Sequence, residues 1–460
     1  MRHYLLHSVL FVLIFAVAAL TETPSSRPTT QPITSQPVRK FNIKISRETT
    51  YITDASLNPD GTVNYLEYLN RKYSKDITKD NNAAVLIIQA IGPAKLKNTF
   101  ARKSLEELGV DFSGGKAPVF EDYDDYVHRK RADDKRLTNV DEEQTDEWYK
   151  KSQKTPWTKK QYPIVAEWLD ANRAPLDRVV QASRQSKWFL PTKDQVDPES
   201  MQLMGLRDRN VAYRSRFLAK ALTIRAMLYL GEGNLEVAWK EALAIKRLGT
   251  LLSRTPFLFD NMIGNSICVL GNNAVDQILQ SGKLNVTQAR RFLKEWIAMP
   301  PIRSIRDTLN EEARFYDLGT VMGFARSGKI YDLNQEWDIP CSMLDWNAML
   351  EEVNLWHDRL YAILQDTNFK KRAQLFAAFG SQMQQEGQKT KQYRPPHVLT
   401  EQVLKQIVNK ITFSRNVMAY LLSRTMPVFN YPIHLYDVSV TYDQLVRIGL
   451  ALKVYQLETG

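Results

Sequence analysis

Apolar residues recur along most of the chain at the three- and four-residue spacing of α-helices. This spacing gathers apolar side chains on one face of each helix and leaves polar side chains on the other. No convincing strand pattern lies between residues 160 and 460, so we expect an all-α fold. The predicted helices lie at 81–93, 100–109, 162–183 (divided in two near Pro175), 210–230, 235–252, 256–280, 286–298, 302–326, 343–365, 369–386, 399–425 and 436–458.

Residues 210–252 predict a helical hairpin. Two amphipathic segments flank Gly231 and Gly233, and Asn234 is placed to cap the second segment. We therefore expect two antiparallel helices joined by a tight turn at this point.

Part of this hairpin resembles a tetratricopeptide repeat. The resemblance is carried by the spacing Ala226-x2-Tyr229-x3-Gly233-x4-Ala238. The residues 34 positions further along, at the period of such repeats, are Asp260, Ile263, Ile267 and Asn272. The signature does not recur, and repeat arrays need several stacked units. We expect irregular layered helical hairpins, solenoid-like or bundle-like, without a regular repeat array.

Composition divides the chain into four parts. Residues 1–20 are apolar, 21–38 are rich in Ser, Thr and Pro, 39–160 mix short helical patterns with long charged loops, and 161–460 hold the long helices. The Ser/Thr/Pro-rich part has too few apolar residues to offset chain entropy, so we expect a disordered linker there. The helical body is expected at 161–460.

The N-terminus has the pattern of an export signal. Arg2 precedes an apolar region at 8–20, and Ala16-Val17-Ala18 offers a small-x-small cleavage site. From Tyr4 the apolar stretch is also about long enough to span a bilayer, so an uncleaved membrane anchor is the alternative to a cleaved signal peptide. In either case the body is expected outside the cytoplasm, in the periplasm, in the cell envelope or secreted.

The net charge of +11 favours anionic partners. The densest basic cluster, RKRADDKR at 129–136, is interrupted by Asp133 and Asp134, and no long basic stripe occurs. Nucleic acid is therefore a poor candidate, and an envelope protein or an anionic polysaccharide is the expected partner. The nine Trp, 20 Tyr and 18 Phe fit a packed helical core, or alternatively a sugar-binding groove.

Several common active sites are excluded by their motifs. The chain has no HExxH, no GxSxG, no Walker A loop and no GxGxxG after a strand. Cys268 and Cys341 are too far apart in sequence for a local metal site, and we expect both to be unpaired because Cys268 lies in an apolar run. No cofactor is expected.

An acidic stretch, FEDYDDYVHR at 120–129, is a candidate cation site. Its carboxylates at Asp122, Asp124 and Asp125 are ligands that calcium prefers. The alternative is a solvated acidic loop that the following basic cluster balances. We expect the second interpretation, and so no metal.

A second candidate lies in DWNAMLEEVNLWHDRL at 345–360. On a helix, Glu351 and Asp358 share one polar stripe with Asn347 and Asn354. The distance between two carboxylates at these positions falls in the upper part of the range found between the catalytic carboxyl groups of glycoside hydrolases. Glu351 and Asp358 are therefore candidate catalytic residues. The alternative, which we expect, is an amphipathic helix that shows its polar face to water.

Five stretches together resemble an uncharacterised family of exported helical proteins abundant in planctomycete bacteria. They are NAAVLIIQAIGP (82–93), YPIVAEWLDANRAPLDRVVQAS (162–183), LAKALTIRAMLYLGEGNLEVAW (218–239), DWNAMLEEVNLWHDRL (345–360) and RIGLALKVYQLETG (447–460). The resemblance implies a signal sequence and a helical body but no assigned activity. In similar sequences the last motif commonly continues into a further helix, so the C-terminus here is either naturally short or truncated.

From these features we expect an exported, non-enzymatic helical protein that binds partners at the cell envelope. The alternative is a polysaccharide-degrading enzyme on an all-helical scaffold. An enzyme would need a deep pocket where carboxylates and aromatic side chains converge, whereas a binding protein would show a shallow surface.

Overall fold

A computed structural model describes most of the chain. The described residues are 41–93, 102–110, 112, 117–133, 142–191, 209–332, 335–337, 339, 341–389 and 409–460. From residue 40 onward the chain forms one compact unit. The export signal and the linker predicted at 1–38 lie outside the described residues.

The first part of the unit consists of helices of 6 to 11 residues that connect through turns and loops. They are α1 (Tyr65–Tyr73), α2 (Ala83–Ile91), α3 (Arg102–Glu107), α4 (Tyr123–Asp133), α5 (Glu142–Ser152), α6 (Pro163–Ala171) and α7 (Arg173–Ala182).

The helices of the second part are mostly longer. They are α8 (Arg209–Gly231), α9 (Leu235–Ser253), α10 (Leu258–Gln280), α11 (Val286–Ile297), the single turn α12 (Ile305–Thr308), α13 (Arg314–Ser327), α14 (Trp346–Leu364), α15 (Phe369–Lys389), α16 (Lys410–Thr425) and α17 (Asn430–Thr459). The predicted all-α fold without a regular repeat is confirmed.

Local sequence signals explain several helix ends. The Asn82 side chain accepts a hydrogen bond from the Ala84 amide and so caps α2, which stops at Gly92 with a φ of +95°. Asn285 and Gln288 form a reciprocal capping box at the start of α11. These ends depend on neighbours in sequence, which is why the pattern of residues predicts them.

Other boundaries differ from the predicted ones. The break between α6 and α7 lies at Asn172, because Pro175 sits in the first turn of α7, where its missing N–H is not needed. The helix predicted over 302–326 contains a π turn at Leu309–Ala313. A two-stranded antiparallel sheet, Ile330–Asp332 with Gln335–Trp337, also interrupts the helical body.

The α8–α9 hairpin forms as predicted, with Gly233 at a φ of +85° in its turn. Asn234 occupies the cap position of α9, but its side chain makes no cap hydrogen bond. The next pair, α9 and α10, is packed so closely that glycine is required at the crossing. A Cβ at Gly264 would lie 2.3 Å from the Ser253 amide nitrogen. Any larger residue there would push the two backbones apart.

Two clusters of buried apolar residues form the core. The first is built by α2 to α11, and the second by α1 together with residues 41–52 and α13 to α16. Helix α17 contributes to both, with Ile433 in the second cluster and Val446 and Leu450 in the first. Contacts also cross residue 160, since Trp157 donates a hydrogen bond from Nε1 to the Ile224 carbonyl at 3.1 Å.

Cys268 is a free, fully buried thiol. It contacts Thr250 and the Lys246 carbonyl between α9 and α10, and burial raises the pKa of its thiol. Its place in the core agrees with the prediction from the apolar run around it. Among the helices of the described ranges, none combines the length and apolar character needed to cross a bilayer.

Candidate functional site

The two candidate catalytic carboxylates lie on α14, and an arginine binds each of them. Arg415 of α16 contacts Glu351 at 2.6 Å, with both side chains well exposed at 46% and 39%. Arg314 of α13 contacts Asp358 at 2.7 Å, and here the arginine is only 1% exposed while the aspartate is 59% exposed. The carboxylates are therefore held by two different helices.

The asparagines of the same polar stripe hold residues 42–49 against α14. Asn347 accepts from the Lys44 amide at 2.9 Å and donates to the Asn42 carbonyl at 3.0 Å. Asn354 donates to the carbonyls of Glu48 and Thr49, both at 2.9 Å. Asn354 is thereby buried, so the expectation that the whole stripe faces water is wrong at this position.

Arg314 is the centre of this polar cluster. Its guanidinium donates to Asn354 Oδ1 at 3.2 Å and to Asp358 Oδ1 at 2.7 Å. It also lies 4.0 Å from the ring centroid of Tyr51, close enough for a cation–π contact. Burial lowers the pKa of this guanidinium, and the contact with Asp358 counteracts that effect. Asp358 is thus the charged partner of a buried cation.

Two polar side chains of the π turn at Leu309–Ala313 contact earlier parts of the chain. Asn310 donates to the Tyr51 hydroxyl at 3.0 Å, and Tyr51 itself has a φ of +64°, which is uncommon for a bulky residue. Glu311 binds Arg303 at 2.8 Å and also contacts Lys72 and Tyr73 of α1. The turn therefore joins Tyr51 and α1 to the part of the chain between α11 and α13.

One buried histidine lies next to the cluster. His357 Nε2 is 2.8 Å from Asp317 Oδ2, and both residues are buried. Burial lowers the pKa of His357 despite the opposing effect of Asp317. The pair is enclosed between α13 and α14, away from any surface that a substrate would reach, so it is best explained as a core contact.

The geometry of this site fits a role in stabilising the fold better than a role in catalysis. Seven residues of helix separate Glu351 and Asp358 by about 10 Å along the axis, which is at or beyond the separation used in glycoside hydrolysis. Each carboxylate already has a cationic partner, and the asparagines of the same stripe use their side-chain amides to bind backbone groups. The cluster is arranged to fasten residues 42–51 to the helical body.

The acidic candidate at Asp122, Asp124 and Asp125 lies at the beginning of α4. Asp124 and Asp125 occupy its first turn, where the helix dipole favours negative charge, and Asp122 is 3.7 Å from Arg214. Partial burial, together with Asp146 and Asp125, raises the pKa of Asp124. In the part of the chain that the structure describes, no group of three or more His, Cys, Asp or Glu residues is arranged to hold a metal ion.

A small crevice lies between α1 and the start of α10. It is lined by Leu69, Tyr73, Trp188, Thr255 and Phe257, among others. Its free space is about 10 Å³, enough for a single water molecule. Pockets for small ligands are typically more than tenfold larger, so this crevice is too small to bind a sugar.

The surface of α17 carries a feature that sequence reasoning missed. Five apolar side chains are exposed along one line of this helix, spaced by seven, three, four and three residues. We call these residues the α17 seam: Val438 (41% exposed), Leu445 (58%), Ile448 (55%), Leu452 (61%) and Tyr455 (66%). This is the spacing of the a and d positions of a coiled coil, where a second helix packs.

The seam itself contains no charged residue, and the charged residues elsewhere on α17 have partners within the chain. Asp443 contacts Lys246 and Arg447, Asp437 contacts Arg372, and Glu458 contacts Arg290. Lys453 donates to Gln456 at 3.0 Å. The seam therefore offers an apolar surface whose neighbouring carboxylates and Arg447 are ion-paired within the chain.

The signals for these features differ in strength. Arg314 begins α13 shortly after Asn310, Glu311 and Glu312, so the sequence pattern did not indicate that its side chain is buried or which residue pairs with it. The heptad spacing of the seam is visible in the sequence, yet α17 is apolar on its opposite face as well. Periodicity alone could not identify which of the two faces is exposed.

Comparisons with protein-family models, with curated proteins and with solved structures give no match to this chain. A function for this protein is therefore inferred from the fold and the sites described above.

Proposed function

We propose that this protein is a non-enzymatic binding protein that is exported to the cell envelope and assembles there through the α17 seam. The observation that carries the proposal is the seam itself. Contiguous apolar surface on a folded protein marks an interaction site, because leaving it in water costs free energy.

The chemistry of the seam favours a protein partner over an anionic polysaccharide. Aliphatic side chains at a and d spacing pack into the holes of a facing helix. A sugar chain would instead need several hydrogen-bonding groups, and an anionic one would need unpaired cations. The carboxylates of α17 and Arg447 are ion-paired within the chain, and Lys453 is hydrogen-bonded to the neutral Gln456, so the helix presents no cluster of unpaired cations.

The contacts of α14 argue against the polysaccharide-degrading alternative. A glycosidase needs one carboxyl group that can protonate the leaving oxygen and a second that can reach the sugar or a water. Glu351 is paired with Arg415, and Asp358 is the counter-ion of the buried Arg314. Freeing Asp358 for catalysis would leave a buried cation without its charged partner.

Export rests on the N-terminal pattern of Arg2 followed by the apolar region at 8–20. Fractionation of cells that express the full chain should recover the folded body outside the cytoplasm. Recovery of the full-length protein in the cytosol would refute this part of the proposal. An envelope-bound protein that retains residues 1–18 would identify the anchored form.

Site-specific photo-crosslinking in intact cells tests the binding role. A photoreactive amino acid at Leu452, in the seam, should give a covalent adduct with a protein. The same amino acid at Gln374, an exposed position on α15, should give no such adduct and is the matched control. Equal labelling at both positions, or none at either, would contradict the proposal.

A further inference from the structure

We infer that α17 of a second copy of this chain covers the α17 seam, and that the two helices pack antiparallel, seam against seam. This inference rests on the proposed function, because it names the partner of the same surface. Three properties of the seam support it: the symmetry of its positions, its charge and its area.

Four of the five seam positions are symmetric about the midpoint between residues 446 and 447. In an antiparallel helix pair each a position faces a d position of the other helix, so residues equally distant from this midpoint meet. Val438 then faces Tyr455 of the second copy, Leu445 faces Ile448, and Leu452 faces Thr441. One two-fold axis generates all of these contacts twice, as a closed isologous dimer requires.

The charge distribution is compatible with self-pairing. Two identical surfaces repel each other when unpaired charges of one sign lie near the axis. Here the residues that flank the axis beside the seam, Gln444 and Gly449, are uncharged, and the nearby Arg447 contacts Asp443 of its own helix at 2.9 Å. The nearest carboxylate, Asp443, is turned inward and contacts Lys246 at 2.7 Å. A partner of opposite charge is therefore not required.

The area of the seam is close to the lower limit for a specific interface. At the observed exposures, its five side chains present about 500 Å² per copy and about 1,000 Å² per dimer, against a lower limit of roughly 1,000 Å² in total and a usual area of roughly 800 Å² per partner. Flanking residues that are also exposed, such as His434 and Gln444, extend the surface toward that value. The apolar fraction is higher than in an average protein surface, as is typical of homodimers.

Sedimentation equilibrium of the purified full chain tests the inference. The protein should be a dimer, and Leu445→Glu or Leu452→Glu should weaken dimerisation by about 100-fold or more, because the two-fold axis buries each added charge twice. Leu355→Glu is the matched control, since Leu355 is an exposed leucine on α14, and it should leave the dimer unchanged. All four proteins should give the same circular dichroism spectrum.

Disulfide trapping tests the antiparallel orientation. In Val438→Cys/Tyr455→Cys the two new thiols are about 25 Å apart within one helix, too far to bond to each other. Across the antiparallel interface they face each other, so mild oxidation should give a covalent dimer on a non-reducing gel. Val438→Cys alone should give none. A dimer from the single variant would instead indicate parallel pairing.

The outcomes separate this inference from the proposed function. A monomer at all concentrations whose Leu452 position still crosslinks to another protein would overturn the second copy as partner and leave the binding role intact. A monomer without any adduct at Leu452 would overturn both. A dimer that Leu445→Glu and Leu355→Glu weaken equally would show that the interface lies elsewhere.

Discussion

Removing the charge from Asp358 should destabilise the protein more than removing it from Glu351. The two carboxylates are equivalent in the sequence pattern, since both lie on the polar stripe of α14. The structure distinguishes them by their partners. Glu351 binds an arginine at the surface, whereas Asp358 binds one that is 1% exposed.

The expected cost of Glu351→Gln is small. Both side chains of the Glu351–Arg415 pair are more than a third exposed, so water solvates either ion when the other is neutralised. Exposed pairs of this kind contribute about 0–1 kcal/mol. We expect a loss of about 0.5 kcal/mol or less in the free energy of unfolding.

The expected cost of Asp358→Asn is larger because Arg314 cannot turn to water. The variant leaves its guanidinium with Asn354, Tyr51 and a neutral amide as partners. A hydrogen bond between charged groups contributes about 1.5–3 kcal/mol, and a fully buried pair that loses one partner costs up to about 5 kcal/mol. Since Asp358 itself is 59% exposed, we expect a loss of about 1–3 kcal/mol.

Urea unfolding at pH 7, followed by circular dichroism, measures both losses from the shift in midpoint at constant slope. Arg314→Met provides the control: in that background Asp358→Asn should cost almost nothing, because the buried cation is gone. Equal losses for the two single variants would refute the assignment of Asp358 as counter-ion. Turnover of an envelope polysaccharide that either carboxamide variant abolishes without loss of stability would refute the structural role of the stripe.

Two further predictions concern packing and pH. Gly264→Ala should cost about 3 kcal/mol, since its Cβ would meet the Ser253 backbone. Gly380→Ala, a helical position with open space around it, should instead stabilise by about 0.5–1 kcal/mol in the same unfolding assay, and a destabilising control would refute the packing argument. Burial acts to raise the pKa of Glu311, but Arg303 and the hydrogen bonds from α1 outweigh it and hold that pKa below 4.5. The stability that the Glu311 carboxylate contributes is present above pH 4.5 and is lost as the pH falls through its lower pKa in the folded state. The difference in the free energy of unfolding between wild type and Glu311→Gln should therefore shrink between about pH 6 and pH 3. A pH-independent difference would show that Glu311 does not titrate as this geometry requires.

The sequence by itself determined the elements that depend on near neighbours. The apolar spacing of 210–252 places one helix on each side of Gly233. Asn82 caps the helix at 83–91 with its own side chain. Such features need only contacts within a few residues. The all-α class and most of the helix positions follow from them for the same reason.

Only the tertiary structure decided which residues meet across the chain. Asn354 was predicted to face water because it lies on a polar stripe, yet it binds carbonyls about 300 positions earlier in the chain. Nothing local encodes that pairing, since the segment at 42–49 and α14 come together only when the second core forms.

The same reason explains the α17 seam. Leu450 and Leu452 are chemically identical and two positions apart, but the first is fully buried and the second is 61% exposed. A helix that is apolar on both faces can pack against the core with either face, and the sequence does not show which face is buried. The contacts with α10 and α11 bury one face, and this long-range choice leaves the other to form the seam.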